Sequence, residues 1–219
     1  MGRTSDAKER LINVATCLIW EQNYSSVSVD KICKGAGVNK GSFYHFFTSK
    51  EALAIEAVDH NWQAAKERLF GPAFKKDVPP LERFNRFFKG FYRVQSEMKE
   101  KCGCVAGCPF GNLGSEVGLE DTALRKKVQE IFAELRGFYE EALCDALEQG
   151  FVKDIDPPVV AKTLGAFSSG LLLQAKVFDD VEVLRLLSLG MARLIGVEEK
   201  DGRLVTSVCC KGPGSEASE

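Results

Sequence analysis

Apolar residues recur at intervals of three and four along most of the chain and are interrupted by polar, Gly or Pro residues, the pattern of successive amphipathic helices. Leu11, Val14, Ala15, Leu18 and Ile19 make one stripe of a helix predicted over about residues 6–22. A second is predicted over 29–34, with Ser28 placed to cap its exposed amides. Gly35-Ala36-Gly37-Val38 reads as a tight turn, and a short third helix follows from Lys40 to Phe46 behind Asn39. Ser49 caps a fourth, which carries Leu53, Val58 and Trp62 to about Phe70. Pro72 and the Pro79-Pro80 pair break the pattern. Beyond them Leu81, Phe84, Phe87, Phe88, Phe91 and Tyr92 line an aromatic-rich helix, and residues 101–107 form a Gly/Cys loop. Pro109 suits the first turn of a short helix, residues 121–149 read as a long helix closed by Gly150, and two more span about 157–177 and 181–196. Few segments alternate as strands do, so the fold class is all-α: a small N-terminal helical domain (1–50), a larger helical body (51–198) and a flexible tail (199–219).

Composition narrows the class. With 45% hydrophobic and 27% charged residues the chain reads as a soluble globular protein, and no run approaches the roughly 18 apolar residues of a membrane span. Asp6 and Glu9 precede the first apolar stripe, unlike the apolar core of a signal peptide, which points to a cytoplasmic protein. Residues 1–50 hold seven Lys/Arg against four Asp/Glu, a net +3, whereas the remainder holds 22 against 27, a net −5. A basic head on an acidic body directs only the head toward phosphate.

In Ser28–Leu53 two short helices meet across a Gly-containing turn. Val29, Ile32, Val38 and Phe43 can pack them together, Gly37 permits the turn, and Gly41 leaves room for close backbone approach to DNA. Asn39, Lys40, Ser42, Tyr44 and His45 share one short helix, which would set them in a major groove. The segment resembles the TetR family of repressors in its Ala-Gly-Val, Lys-Gly-Ser-Phe-Tyr-His-Phe and Ser-Lys-Glu-Ala-Leu runs; it departs at Cys33, where Ala is usual, and at Asn39, where Ser is commoner. The resemblance implies a helix-turn-helix regulator that binds double-stranded operator DNA. Lys40 and Tyr44 would reach base edges or adjacent phosphates, and Ser28, Ser42, His45 and Lys50 would hold backbone phosphates.

One short recognition helix reads few bases, so a homodimer on two half-sites is expected. Its interface is assigned to the last two helices through Phe167, Leu171, Leu187, Met191 and Leu194. The resemblance places a small-molecule effector among the central helices, where Phe87, Phe88, Phe91, Tyr92, Phe110, Phe132, Phe138 and Tyr139 suit a hydrophobic or electrophilic compound.

Eight cysteines without a secretory signal read as thiols. Cys102, Cys104 and Cys108 cluster, and three readings stand. A zinc site lacks a fourth ligand near in sequence. A thiol switch would use Cys108, at a helix N-terminus that lowers its pKa, with Cys102 or Cys104 resolving it. A structural corner would need only a small packed thiol. The run Gly107-Cys108-Pro109-Phe110-Gly111-Asn112-Leu113 is similar to a TetR branch containing the N-ethylmaleimide repressor, which includes electrophile and redox sensors. Neither catalysis nor a cofactor is expected. The competing reading is a helical thiol-based redox enzyme, or a sensor without operator binding; the lack of Cys-x-x-Cys and the position of both histidines, His45 and His60, toward the DNA-binding end weigh against an enzyme.

Overall fold

The computed structural model describes residues 2–118 and 122–206. Nine helices are found there: α1 (Gly2–Glu21), α2 (Val29–Ala36), α3 (Lys40–Phe46), α4 (Lys50–Ala65), α5 (Pro80–Cys102), α6 (Pro109–Glu116), α7 (Thr122–Glu148), α8 (Pro157–Phe178) and α9 (Leu186–Ile195). None of the described helices is long and apolar enough to cross a membrane.

The starts of α2, α3 and α4 follow from local chemistry. Ser28, Asn39 and Ser49 accept backbone hydrogen bonds from Lys31 (3.2 Å), Ser42 (2.7 Å) and Ala52 (3.0 Å), each satisfying an amide the helix leaves open. α2 ends at Gly37 in the left-handed region (φ 63°), where the Val38 amide returns to the Cys33 carbonyl at 3.0 Å. On α1, Leu11, Ala15 and Ile19 are buried, and α1 lies so close to α2 that a Cβ at Gly35 would stand 2.8 Å from Val14.

α4 does not stop at its last regular turn. It widens into a π turn over Lys66–Phe70 and closes with Gly71–Ala73. The wide turn comes immediately before Pro72, which supplies no amide and crowds the carbonyl four residues back. The detour turns Phe70 and Phe74 into an aromatic core shared with Phe84, Phe87, Phe138 and Tyr139. Beside it Arg83, 2% exposed, donates to the Val78 and Lys76 carbonyls (2.8 and 3.0 Å) and pairs with Asp145 at 2.5 Å. That buried guanidinium fastens the 75–79 loop to α5 and α7, and its charge is compensated on all sides.

The chain end departs from expectation. Glu198–Lys200 and Arg203–Val205 form antiparallel strands, β1 and β2, around Asp201-Gly202, both with positive φ, as a two-residue hairpin turn requires. Asn85 on α5 clamps β2 by accepting from the Leu204 amide (2.8 Å) and donating to its carbonyl (3.2 Å), and Leu204 is buried. The segment read as the beginning of a flexible tail is therefore docked structure through residue 205. Cys209 and Cys210 lie outside the described residues.

Candidate DNA interface and effector cavity

The turn and the caps hold α3 against the N-terminal domain by Phe43, which is fully buried. Its other face presents Asn39, Lys40, Gly41, Tyr44 and His45 outward, with Ser42 half-buried at the edge. Tyr44 is 57% exposed although it is aromatic, with its ring edge against Phe43 at 5.1 Å. Lys40 pairs with Asp30 of α2 at 2.7 Å, a contact that raises its pKa and aims the ammonium before any DNA arrives. The side-chain oxygens of Ser28 and Asn39 are already engaged as caps. A Cβ on Gly41 would stand 3.3 Å from the Asn39 capping oxygen, so this glycine protects the cap as well as leaving the helix surface open. Lys50 is tied inward: its ammonium donates to the Tyr24 carbonyl at 3.1 Å and stands 4.2 Å from that ring's centre. Asp30 and Tyr24 had no signal in sequence; both act through partners distant from the motif's spacing.

A cavity of about 280 Å³ opens among the end of α4, α5, α7 and α8. Of the residues expected there, Phe87, Phe91, Phe132 and Tyr139 line it. Phe88 and Tyr92 do not, because one residue along a helix rotates a side chain by about 100°; Phe87 and Phe91 share the cavity face while Phe88 and Tyr92 turn to an open groove of about 760 Å³ toward α9 and the hairpin. There the Tyr92 hydroxyl bonds Glu182 and accepts from Arg185 at 3.1 Å. Phe110 packs edge-on to Trp62 with ring centres 5.8 Å apart, and Phe138 stacks on Phe70 at 5.4 Å, so both belong to the packing behind the cavity. Phe70, Arg136 and Lys162 line the cavity with no signal in the sequence for it, and Cys108, expected as a thiol, lines it too.

Cys108 caps α6, its sulfur accepting from the Gly111 amide at 3.3 Å. Burial raises the thiol's pKa, and the Gly111 and Phe110 amides only partly counter it. The expectation of a lowered pKa at the helix N-terminus is thus reversed, because desolvation of the thiolate outweighs the amides. Cys102 and Cys104 are exposed. The corner is firmly fastened: Asp179 accepts from the Val105 amide (2.8 Å), Asn112 donates to the Ala106 carbonyl (3.1 Å), and Gly107, at φ 82°, lies under the Lys176 stem. Among the described residues no group of three or more His, Cys, Asp or Glu is arranged to hold a metal ion.

The residues assigned to a dimer interface are mostly interior. Leu171, Leu187 and Met191 are buried within the single chain, Leu194 packs half-buried on the same core, and the Phe167 ring lies on Gly190. The large apolar side chains α8 and α9 present outward are instead Val159, Leu173, Val177 and Phe178 on the first and Leu186 and Leu189 on the second.

Two sets of contacts run from the cavity walls to α4, which is tied to α1 through Thr16–Ala57 and Lys8–Glu56, and one of them also reaches the N-terminal domain directly. From α7, Glu134 accepts from the Trp62 indole (2.8 Å) and pairs with Lys66 (2.9 Å), Lys127 pairs with Asp59 (2.5 Å), and the Leu124 amide donates to Glu51 (3.3 Å). From α6, Phe110 abuts Trp62 and Glu116 accepts from the Ser25 amide at 3.3 Å.

Comparison with known proteins agrees with this architecture. Residues 11–57 match the model of bacterial regulatory proteins of the tetR family, and residues 80–188 match the tetracyclin repressor-like C-terminal domain. The chain is 32% identical over 179 residues to the transcriptional regulator AcuR of Cereibacter sphaeroides, covering 78% of this chain and 77% of that one. It is 25% identical over 182 residues to the transcriptional repressor NemR of Escherichia coli, covering 82% and 88%. The crystal structure of a TetR regulatory protein from Rhodobacter sphaeroides superposes with a TM-score of 0.75 at 28% identity, over 86% of this chain and 98% of that one. The chain belongs to the TetR family of DNA-binding transcriptional regulators.

Proposed function

We propose that this regulator is a cytoplasmic repressor that binds operator DNA as a homodimer and lets go when a small apolar molecule fills the cavity of α5, α7 and α8. It divides into a DNA-binding head, 1–50, and an effector-binding and dimerising body, 51–198. The observation that carries the reading is the placement of α6 and α7: α7 lines the cavity and bonds α4, which is tied to α1 of the head, while the Cys108 cap of α6 borders the cavity and Glu116 at the other end bonds Ser25 of the head, so a ligand's push on the wall reaches α1 and α3. α3 supplies the operator contacts, with Lys40 and Tyr44 facing the groove and Ser42 and His45 its phosphates. The outward stripe of Leu173, Val177, Leu186 and Leu189 meets its counterpart on a second copy. A regulatory rather than catalytic role accords with the names of its relatives.

Cysteine modification is a second route to release, favoured by one observation: Cys108 is among the residues that line the cavity an electrophile would enter. Gel-shift binding to DNA from the gene's own neighbourhood tests both routes, using reduced protein, protein treated with a mild electrophile, and Cys108→Ser. Specific binding that treatment abolishes only when Cys108 is present establishes the thiol route. Specific binding indifferent to treatment leaves the cavity ligand as the signal, and absence of specific binding refutes the regulator assignment at this locus.

A further inference from the structure

We infer that the cavity selects a compact organic anion, an aromatic carboxylate being the simplest example. The inference rests on the cavity's being the effector site. Phe70, Phe87, Phe91 and Phe132 give it an aromatic interior, while Arg136 of α7 and Lys162 of α8 also line it, and no carboxylate does. The charged residues of α7 that face α4 have partners there, Lys127 with Asp59 and Glu134 with Lys66. Neither Arg136 nor Lys162 has an ion-pair or hydrogen-bond partner among the described residues.

The polar groups deeper in the cavity are already occupied: Ser168 donates to the Leu164 carbonyl at 2.7 Å and is hydrogen-bonded to the Tyr139 hydroxyl. The strongest unused donors are therefore the two cations, one on each wall. An anion spanning them would draw α7 and α8 together with charge-assisted hydrogen bonds, while its apolar body rests on the phenylalanines. A cationic ligand could use the aromatic faces, but it would meet two like charges and no counter-charge. The volume of about 280 Å³ lies just below the ~300–1,000 Å³ of sites for drug-sized molecules, which limits the ligand to a small one, with one or two rings.

Calorimetric titration of the full chain with 2-naphthoate, 2-naphthol and 2-naphthylmethylammonium separates the possibilities, since the three share a ring system and differ in charge. The expected result is 2-naphthoate binding about tenfold or more tightly than 2-naphthol, with the ammonium weakest. In Arg136→Gln/Lys162→Gln, both positions being on the surface, that gap should close. Preference for the neutral or cationic probe, or a gap that survives the double substitution, overturns the anion assignment and leaves the cavity reading standing. A cavity-filling Ala166→Trp variant supplies the other control. If no probe binds wild type more tightly than that variant, the effector reading falls and the anion assignment falls with it.

Discussion

Gly190 offers a quantitative test of how α8 and α9 fit together. A Cβ built there would stand 2.2 and 2.5 Å from Cε1 and Cζ of Phe167, far inside the roughly 3.5–4.0 Å at which carbon atoms attract. The ring is half-buried against the core, so any retreat gives up contacts there. Two terms oppose each other in Gly190→Ala. Replacing glycine inside a helix is worth about 0.5–1 kcal/mol in backbone entropy. Overpacking a fitted contact costs about 1–3 kcal/mol. The clash should win, leaving the variant between neutral and about 2 kcal/mol less stable. Gly137 on α7 is the control, since its Cβ would meet nothing within 4 Å; Gly137→Ala should be stabilising by about 0.5–1 kcal/mol. Urea denaturation at one fixed protomer concentration compares the two, because dimer stability shifts with concentration. In a Phe167→Ala background the penalty at Gly190 should vanish, giving a coupling of about 1–3 kcal/mol. A Gly190→Ala variant as stabilised as Gly137→Ala, with no coupling to Phe167, would refute the described packing.

Three further outcomes follow from the contacts. Lys40→Ala should weaken operator binding more than binding to random DNA, whereas Asp30→Asn, which releases the same ammonium, should strengthen both; fluorescence anisotropy at two salt concentrations reads this, and equal losses on both DNAs for Lys40→Ala would remove it from the base contacts. Glu134 is held below the usual carboxylate range, first by the Trp62 indole and then by Lys66, so its contribution to stability is present above its unfolded pKa and lost as pH falls through the lower folded value. The melting-temperature gap between wild type and Glu134→Gln should therefore stay level from neutrality to about pH 5 and shrink below about pH 4; a gap that widens in acid contradicts the assignment. Leu173→Asp or Leu189→Asp should give a folded monomer by light scattering, whereas Leu187→Asp should unfold the chain; a dimer that survives both exposed substitutions places the interface elsewhere.

What was legible in the sequence was short-range. The caps Ser28, Asn39 and Ser49 and the Gly37 turn depend on residues within three or four positions, and helix periods marked the nine helices to within a few residues. Orientation around a helix was not legible where both faces are apolar. α5 carries aromatics on adjacent faces, so nothing local decided between Phe87/Phe91 and Phe88/Tyr92 for the cavity. α8 has the same ambiguity, with Leu171 and Leu172 turned inward and Leu173 and Val177 outward. Contacts such as Arg83–Asp145 and Trp62–Glu134 join residues 62 and 72 positions apart and have no spacing to reveal them. The hairpin was different, since Asp201-Gly202 is a strong turn signal that three-residue strands were too short to reinforce.

The strength of the connections between cavity and head bounds what a ligand can achieve through them. A hundredfold fall in operator affinity corresponds to about 2.8 kcal/mol between the DNA-competent and ligand-bound arrangements. A hydrogen bond to an ionised carboxylate contributes about 1.5–3 kcal/mol when sheltered and less when exposed. Glu134 and Glu116 are each such acceptors, one bonding Trp62 of α4, which is tied to α1, and the other bonding the head directly at the Ser25 amide. Parting both contributes on the scale of a hundredfold response, and parting the exposed Glu116 contact alone does not. α6 spans only eight residues, about 12 Å, from its cap at Cys108 to Glu116, so a tilt imposed at the cavity end is carried to Ser25 with little loss to bending. A ligand that moves α6 without moving α7 should consequently give partial release, and full release requires it to touch both walls. Arg136 on α7 and Cys108 at the cap of α6 both border the cavity, so one bound molecule can reach the two together.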